Sequence, residues 1–212
     1  MTHPLLTTDD AVGDPRALVL VLHGGKPRSD QAIGSTSASW QRAAWLRRDI
    51  APQAHAAGVG LWLARYRVRG WNGGTGPVAD ARWALDAMRA AHGDVPVVLL
   101  GHSMGARVAV HAADDPSVVG VVGLAPWWSA ADPVSTLAGR ALRAAHGRRD
   151  RITSFRETGH YVDRAHRVAS SAELHDMGPL GHYMLAGSSR WHEVALASVL
   201  DVLGAAVPST EH

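Results

Sequence analysis

The chain has 212 residues, 46% of them hydrophobic, and its 21 basic and 19 acidic residues give a net charge of +2. This length suits one α/β domain, and charges this evenly balanced form no basic stripe for tracking nucleic-acid phosphates. The chain has no cysteine, which excludes disulfides, zinc–thiolate sites and a thiol nucleophile.

The N-terminus and the hydropathy of the chain predict a soluble cytoplasmic protein. Asp9 and Asp10 follow a polar start, whereas a signal peptide would carry basic residues and then an apolar run. No stretch of the sequence approaches the roughly 18 consecutive apolar residues that a membrane span needs. We therefore expect neither a membrane partner nor a nucleic-acid partner.

Hydrophobic periodicity predicts strands that alternate with helices, and most of the strands are apolar on both faces, as central parallel strands are. Residues 1–16 can hold one short outer strand, and residues 129–139 are predicted as loop or short helix. The other predicted elements are strand 17–22, helix 39–56, strand 59–64, helix 78–91, strand 97–100, helix 106–115, strand 118–125, strand 141–146, helix 154–168, strand 172–177 and helix 188–203. This order predicts the α/β class, with a mostly parallel sheet of about six to seven strands flanked by helices.

The sequence Gly101-His102-Ser103-Met104-Gly105 lies between a buried strand and a helix. A reversal this sharp forces Ser103 into a strained backbone conformation, and glycines two positions to either side remove Cβ atoms that would collide. The turn lifts the serine hydroxyl clear of the sheet at the start of a helix. This Gly-x-Ser-x-Gly context is typical of a nucleophilic serine.

A serine hydroxyl needs a base within hydrogen-bond reach, and the base needs an acid to fix its tautomer. In parallel sheets such groups collect after the carboxyl ends of the strands. Asp150 and His182 each follow a predicted strand, in the chain order serine, aspartate, histidine. Of the 13 histidines, His182 is favoured over those in predicted helices, inside a strand or beside Ser103, which are His92, His111, His160, His166, His192, His175 and His102. Asp132, one strand earlier, is the alternative acid.

An oxyanion formed at the serine would need two or more N–H donors. The N–H of Met104 is one candidate, because it lies at the helix start directly after the serine. The loop after predicted strand 17–22, His23-Gly24-Gly25, can supply the second. We assign that donor to Gly25, with Gly24 and Lys26 as alternatives.

These motifs together resemble the α/β-hydrolase superfamily, in particular its small cap-less bacterial serine hydrolases, over residues 17–203. The resemblance implies a single three-layer α/β-hydrolase domain spanning residues 1–212, with the usual cap reduced to a lid-like loop at about residues 126–141. It further implies acyl transfer without a cofactor. Ser103 would attack an ester carbonyl, His182 would move the proton, and Asp150 would orient the imidazole.

Three tryptophans follow strand ends near the serine and are candidates for substrate contact: Trp71, Trp127 and Trp128. Adjacent residues of an extended chain point to opposite sides, so only one of Trp127 and Trp128 can line a pocket. The sequence has no His-Glu-x-x-His or comparable metal-ligand pattern, so no metal is expected.

The function that follows is hydrolysis of short-chain or aromatic carboxylic esters by a serine nucleophile. A thioesterase would use the same three residues with a different leaving group, and a perhydrolase would replace water by peroxide. A non-catalytic binding protein built on a hydrolase fold is the alternative from another class.

Overall fold

A computed structural model describes residues 3–206 of the chain as strands that alternate with helices. The strands are β1 (Leu5–Thr7), β2 (Ala17–Leu22), β3 (Val59–Arg65), β4 (Val97–His102), β5 (Val118–Leu124), β6 (Ala141–His146) and β7 (Ser171–Asp176). The helices are α1 (Ala38–Ala56), α2 (Thr75–His92), α3 (Met104–Ala112), α4 (Phe155–Ala165) and α5 (Ser188–Ala206). A 3-10 turn at Ser135–Leu137 lies in the connection between β5 and β6.

The strands form one sheet of seven in the order β1-β3-β2-β4-β5-β6-β7. Only β1 is antiparallel to its neighbour, and the other six strands run parallel. Every residue of β2, β4 and β6 is buried, which explains why these segments lack a polar face. The predicted mostly parallel sheet is confirmed, and β1 is the short outer strand.

Helices cover the sheet on both faces and complete a three-layer arrangement. Helices α2, α3 and α4 share one buried apolar cluster with one face of the sheet. Helices α1 and α5 share a second cluster with the other face. No helix within residues 3–206 is long and apolar enough to cross a membrane.

Predicted and observed helix boundaries differ by three residues at the start of α2 and at the ends of α3, α4 and α5. Helix α2 begins at Thr75 rather than at residue 78, because Gly74 precedes it with a left-handed φ of 91°. Pro77 fits the first helical turn, where no backbone N–H is required. Helix α4 ends at Ala165 rather than at residue 168, because the following residues close tighter turns instead of continuing the helix.

The glycines around Ser103 are required by close backbone packing. A Cβ atom at Gly105 would collide with backbone atoms of Leu22 and His23, and one at Gly101 would collide with the backbone of Ala106. Backbone cannot move aside as a flexible side chain can. Helix α3 therefore approaches β2 and β4 more closely than any residue with a side chain would permit.

The variant Gly105→Ala is expected to lose about 1–3 kcal/mol of unfolding free energy, because the added methyl group overpacks a rigid contact. Its melting temperature should fall by several degrees for a chain of this size. Gly76→Ala is the matched control, since a Cβ at Gly76 in α2 meets nothing within 4 Å. Equal melting temperatures for the two variants would contradict the packing argument.

Candidate active site

Ser103 forms the turn between β4 and α3 with φ 56° and ψ −116°, so the predicted backbone strain is confirmed. Its N–H donates to the Leu124 carbonyl at 3.0 Å, and its own carbonyl accepts the N–H groups of Ala106, Arg107 and Trp127 at 3.2–3.3 Å. These bonds tie the turn to β5 and to the loop after it. Ser103 is only 8% exposed, so its surroundings cover it more than the sequence led us to expect.

The structure brings Ser103, His182 and Asp150 into one hydrogen-bonded series. The Ser103 Oγ lies 3.0 Å from Nε2 of His182, and Nδ1 of His182 lies 2.7 Å from Oδ2 of Asp150. A carboxylate oxygen accepts, so Nδ1 carries the imidazole proton and Nε2 is left to accept from the hydroxyl. The three residues come from the ends of β4, β6 and β7, as the strand order predicts.

The Asp150 carboxylate is fully buried but saturated with hydrogen bonds. Its Oδ1 accepts the N–H groups of Ile152 and Thr153 at 2.7 and 2.8 Å, and its Oδ2 accepts from the Thr153 hydroxyl at 2.8 Å. Nε2 of His146 also donates to Oδ2, at 3.1 Å. Burial alone would raise the pKa of Asp150, but the bonds from His146, His182 and the backbone outweigh it and hold that pKa far below its usual range.

Two histidines beside the series are buried in a neutral form. Nε2 of His102 donates to the His182 carbonyl at 2.9 Å, which helps to fix the loop that carries His182. Burial and the neighbouring His182 lower the pKa of His102 to about 3. Burial likewise lowers the pKa of His23 to about 4.

The loop after β2 packs directly on the Ser103 turn. A Cβ atom at Gly24 would touch the Ser103 side chain, and one at Gly25 would collide with the Met104 side chain. The N–H of Met104 begins α3 and so has no acceptor within the helix. Gly25 and Met104 are therefore neighbours on the same side of the turn.

Hydrogen bonds within this loop exclude one of the candidate N–H donors to the oxyanion. The Lys26 N–H donates to the Arg69 carbonyl at 2.9 Å, which removes Lys26 as an alternative. Nε2 of His23 accepts the Tyr66 N–H at 3.4 Å, so its Nδ1 donates to the Gly24 carbonyl at 2.7 Å. Because C=O and N–H point in opposite directions across a trans peptide, this bond directs the Gly25 N–H away from the His23 ring.

Asp132, the alternative acid, belongs to a different cluster. Its Oδ1 accepts from Nε of Arg107 at 2.7 Å and from Nε2 of His111 at 2.8 Å, and its Oδ2 accepts from the Ser129 N–H at 2.8 Å. Burial would raise the pKa of Asp132, but these bonds lower it overall. Among the described residues it makes no hydrogen bond to His182, and its contacts fasten the connection after β5 onto α3.

An open groove of about 800 Å³ lies beside the Ser103 turn, and Trp71 and Trp127 line it. Their rings meet edge to face with centroids 6.5 Å apart. Trp128 instead packs in the core, 3% exposed, with its Nε1 donating to the Ala106 carbonyl at 2.9 Å. The structure therefore removes Trp128 from the candidates for substrate contact, because its ring faces away from the groove.

Sequence reasoning missed His146 and Thr153, which both contact Asp150. His146 ends β6 with its side chain fully buried, and its Nδ1 accepts from the Thr158 hydroxyl at 2.7 Å. Its position at a strand end, four residues before Asp150, was the available signal. Within residues 3–206 no group of three or more histidine, aspartate or glutamate side chains is placed to hold a metal ion.

Comparison with known proteins agrees with this architecture. Residues 65–152 match the family model described as serine aminopeptidase, S33, and no curated protein matches the sequence. An α/β serine hydrolase homologue from Coxiella burnetii superposes with a TM-score of 0.73 at 16% identity, covering 92% of this chain and 91% of that one. A lid-less α/β serine hydrolase from Xanthomonas campestris gives a TM-score of 0.69 at 17% identity, covering 98% and 91%.

An esterase, Est2 from Thermogutta terrifontis with butyrate bound, gives a TM-score of 0.70 at 15% identity and covers 94% of this chain and 89% of that one. Together with the sheet order, these likenesses define the fold. The chain therefore has the fold of the α/β-hydrolases, and its residues 65–152 resemble the serine aminopeptidase family.

The buried neutral histidines predict that acid destabilises the fold. The pKa values of His23 and His102 in the folded chain lie below the ordinary value of about 6.5. The contribution of the two neutral histidines to stability is therefore complete above about pH 6.5. It is lost as pH falls towards 4, because over this range the two imidazoles take up protons in the unfolded chain but not in the folded one. The unfolding free energy should fall between pH 7 and pH 5 with a slope of up to about 1.4 kcal/mol per pH unit for each histidine.

The variant His102→Gln keeps a side-chain N–H donor but does not titrate. The slope of its unfolding free energy against pH should therefore be smaller than that of wild type, by up to about 1.4 kcal/mol per pH unit. His160→Gln is the control, because the His160 side chain is 62% exposed. Denaturant unfolding at pH 7, 6 and 5 measures the three slopes. Identical slopes for wild type and His102→Gln would contradict a buried neutral His102.

Proposed function

We propose that this protein is a serine hydrolase that cleaves carboxylic esters through an acyl-enzyme on Ser103. The observation that carries the proposal is the continuous series from Ser103 Oγ through His182 to Asp150, with distances of 3.0 and 2.7 Å. A serine hydroxyl with a correctly oriented imidazole is the minimum that acyl transfer requires.

In the first half-reaction, Oγ of Ser103 attacks the ester carbonyl while Nε2 of His182 takes the hydroxyl proton. The charged Asp150 stabilises the imidazolium through Nδ1. The carbonyl oxygen becomes an oxyanion, and the N–H groups of Gly25 and Met104 are the donors that we assign to it. The tetrahedral intermediate collapses as His182 protonates the leaving alcohol.

In the second half-reaction, water replaces the alcohol. Nε2 of His182 takes a proton from the water as it attacks the acyl-enzyme, and then returns that proton to Ser103 as the acid leaves. A thioester would follow the same steps with a thiol as leaving group. The short connection after β5 leaves the serine without a large cap, which favours small, accessible esters.

The matching family model is that of a serine aminopeptidase, so peptides are the second candidate substrate. A peptide N-terminus is cationic, and a site that selects it needs a free carboxylate. Near the serine, Asp132 is engaged with Arg107, whereas Asp30 accepts only from the neutral Nδ2 of Asn72 at 2.9 Å and keeps its charge. Asp30 is therefore the carboxylate that an amino-terminal peptide would need.

Labelling with a fluorophosphonate tests the nucleophile. Wild-type protein should be labelled and should hydrolyse 4-nitrophenyl acetate and butyrate, whereas Ser103→Ala should lose both properties. Ser135→Ala, which changes a serine in the 3-10 turn after β5, is the control and should behave as wild type. A folded wild-type protein that is neither labelled nor active on esters would favour a non-catalytic binding role, and turnover of an aminoacyl anilide instead would favour a peptidase.

The variant Asp150→Asn should lower kcat by about three to four orders of magnitude, because it leaves the imidazole in the wrong tautomer. Asp114→Asn is the surface control, since the Asp114 side chain is 50% exposed and pairs with Arg82. The kcat of each variant on 4-nitrophenyl acetate, with circular dichroism to check folding, measures the effect. A greater loss of kcat in Asp132→Asn than in Asp150→Asn would transfer the acid role to Asp132.

A further inference from the structure

We propose that the groove beside Ser103 recognises a carboxylate on the substrate, and that Arg28 and Arg107 supply the N–H donors that bind it. The inference rests on the proposed function, because the groove would position an anionic ester at Ser103. It adds a substrate class to that function: esters that carry a carboxylate near the scissile bond.

The groove lies at the edge of the sheet where Ser103 lies. Its lining comes from the loops after β2, β3 and β5 and from Arg107 in α3. Arg107 is one helical turn beyond Ser103, and side chains in helices tilt towards the helix N-terminus. Trp127 forms part of the wall and donates its N–H to the Ser103 carbonyl at 3.2 Å.

The guanidinium of Arg107 is held in one orientation. Its Cζ lies 4.6 Å from the ring centroids of both Trp71 and Trp127, and its Nε donates to Asp132 at 2.7 Å. Among residues 3–206 the two terminal nitrogens of Arg107 have no hydrogen-bond acceptor, and the side chain is 15% exposed. An arginine fixed in this way has donors ready for a carboxylate and loses little entropy on binding.

Arg28 adds a second positive charge to the same groove. In the part of the chain that the structure describes, Arg28 has no acidic partner, whereas Arg107 is neutralised by the buried Asp132. Asp30 also lines the groove and keeps its negative charge, because its hydrogen bond comes from the neutral Asn72 amide. An anionic ligand is therefore favoured by the terminal N–H groups of Arg107 and by Arg28, and not by an excess of positive charge in the groove as a whole.

The walls of the groove are joined to each other. Nδ2 of Asn72 donates to the Ser29 carbonyl at 3.0 Å, and its Oδ1 accepts the Ser29 N–H at 3.0 Å. These bonds connect the loop after β3 to the loop after β2, and Asn72 adopts a left-handed φ of 46° to make them. The groove is thus built by specific contacts, and a ligand would not have to order it.

Binding of 3-hydroxybenzoate and 3-hydroxybenzamide to wild-type protein, measured by calorimetry, tests the groove without any turnover. The two probes share one ring and differ in charge. We expect the carboxylate to bind about tenfold more tightly, as a charge-assisted hydrogen bond provides. The same preference should show in kcat/KM for 3-acetoxybenzoate over 3-acetoxybenzamide.

The variants Arg107→Gln and Arg28→Gln should each reduce this preference several-fold. Arg107→Gln leaves Asp132 without its cation and can lower stability, so Arg28→Gln, at an exposed position, provides the independent test. Arg82→Gln is the control, because Arg82 pairs with Asp114 on the surface and should keep the full preference. Melting temperatures confirm that each variant is folded.

The outcomes separate the two proposals. If 3-hydroxybenzoate binds more tightly and the Arg28 and Arg107 variants remove this preference, the groove proposal is supported. If no ester is hydrolysed in that case, only the hydrolase proposal fails. Ester hydrolysis with equal binding of the two probes overturns the groove and leaves the hydrolase proposal intact. A carboxylate preference that survives Arg28→Gln and a folded Arg107→Gln also overturns it.

Discussion

The left-handed turn at Ser103 is the constraint on which the rest of the site depends. A serine at φ 56° is strained, and the turn persists because its carbonyl accepts three N–H groups and its N–H reaches β5. One of those donors is Trp127 from the loop after β5. The same few bonds therefore fix the position of Ser103, the start of α3 and one wall of the groove. The glycines at 101 and 105 let α3 and the sheet come close enough for these bonds to form.

The second requirement is a buried negative charge at Asp150. An unpaired carboxylate in the interior would be neutralised or would cost several kcal/mol. Here five donors surround it, and only one of them belongs to His182. The others, including His146 and the Thr153 hydroxyl, keep the carboxylate charged. Because Asp150 stays charged, the proton on His182 is held at Nδ1, and Nε2 always faces the serine.

The sequence predicted the sheet, its helices and the positions of Ser103, Asp150 and His182, because these follow from strand order and from the common edge of parallel strands. It could not predict the contacts of His146, whose partners Asp150 and Thr158 are found only after β6 and α4 have packed together. Adjacent tryptophans were predicted to point apart, but the side on which each lies depends on packing that a single sequence does not encode. Burial of Trp128 against Tyr161 settled that question.

Chain position alone leaves Asp132 as an alternative acid, and its contacts in the fold show a different role. It follows a strand end and so resembles a catalytic acid, yet it is 1% exposed and bound to Arg107 and His111. Its contacts make the connection after β5 a support for Arg107 rather than a mobile cover. Asp132 holds Arg107 in one orientation beside the two indole rings. An unanchored arginine would lose more side-chain conformational entropy on binding a ligand, and its affinity would be lower. The connection after β5 thus sets the charge and shape of one wall of the groove.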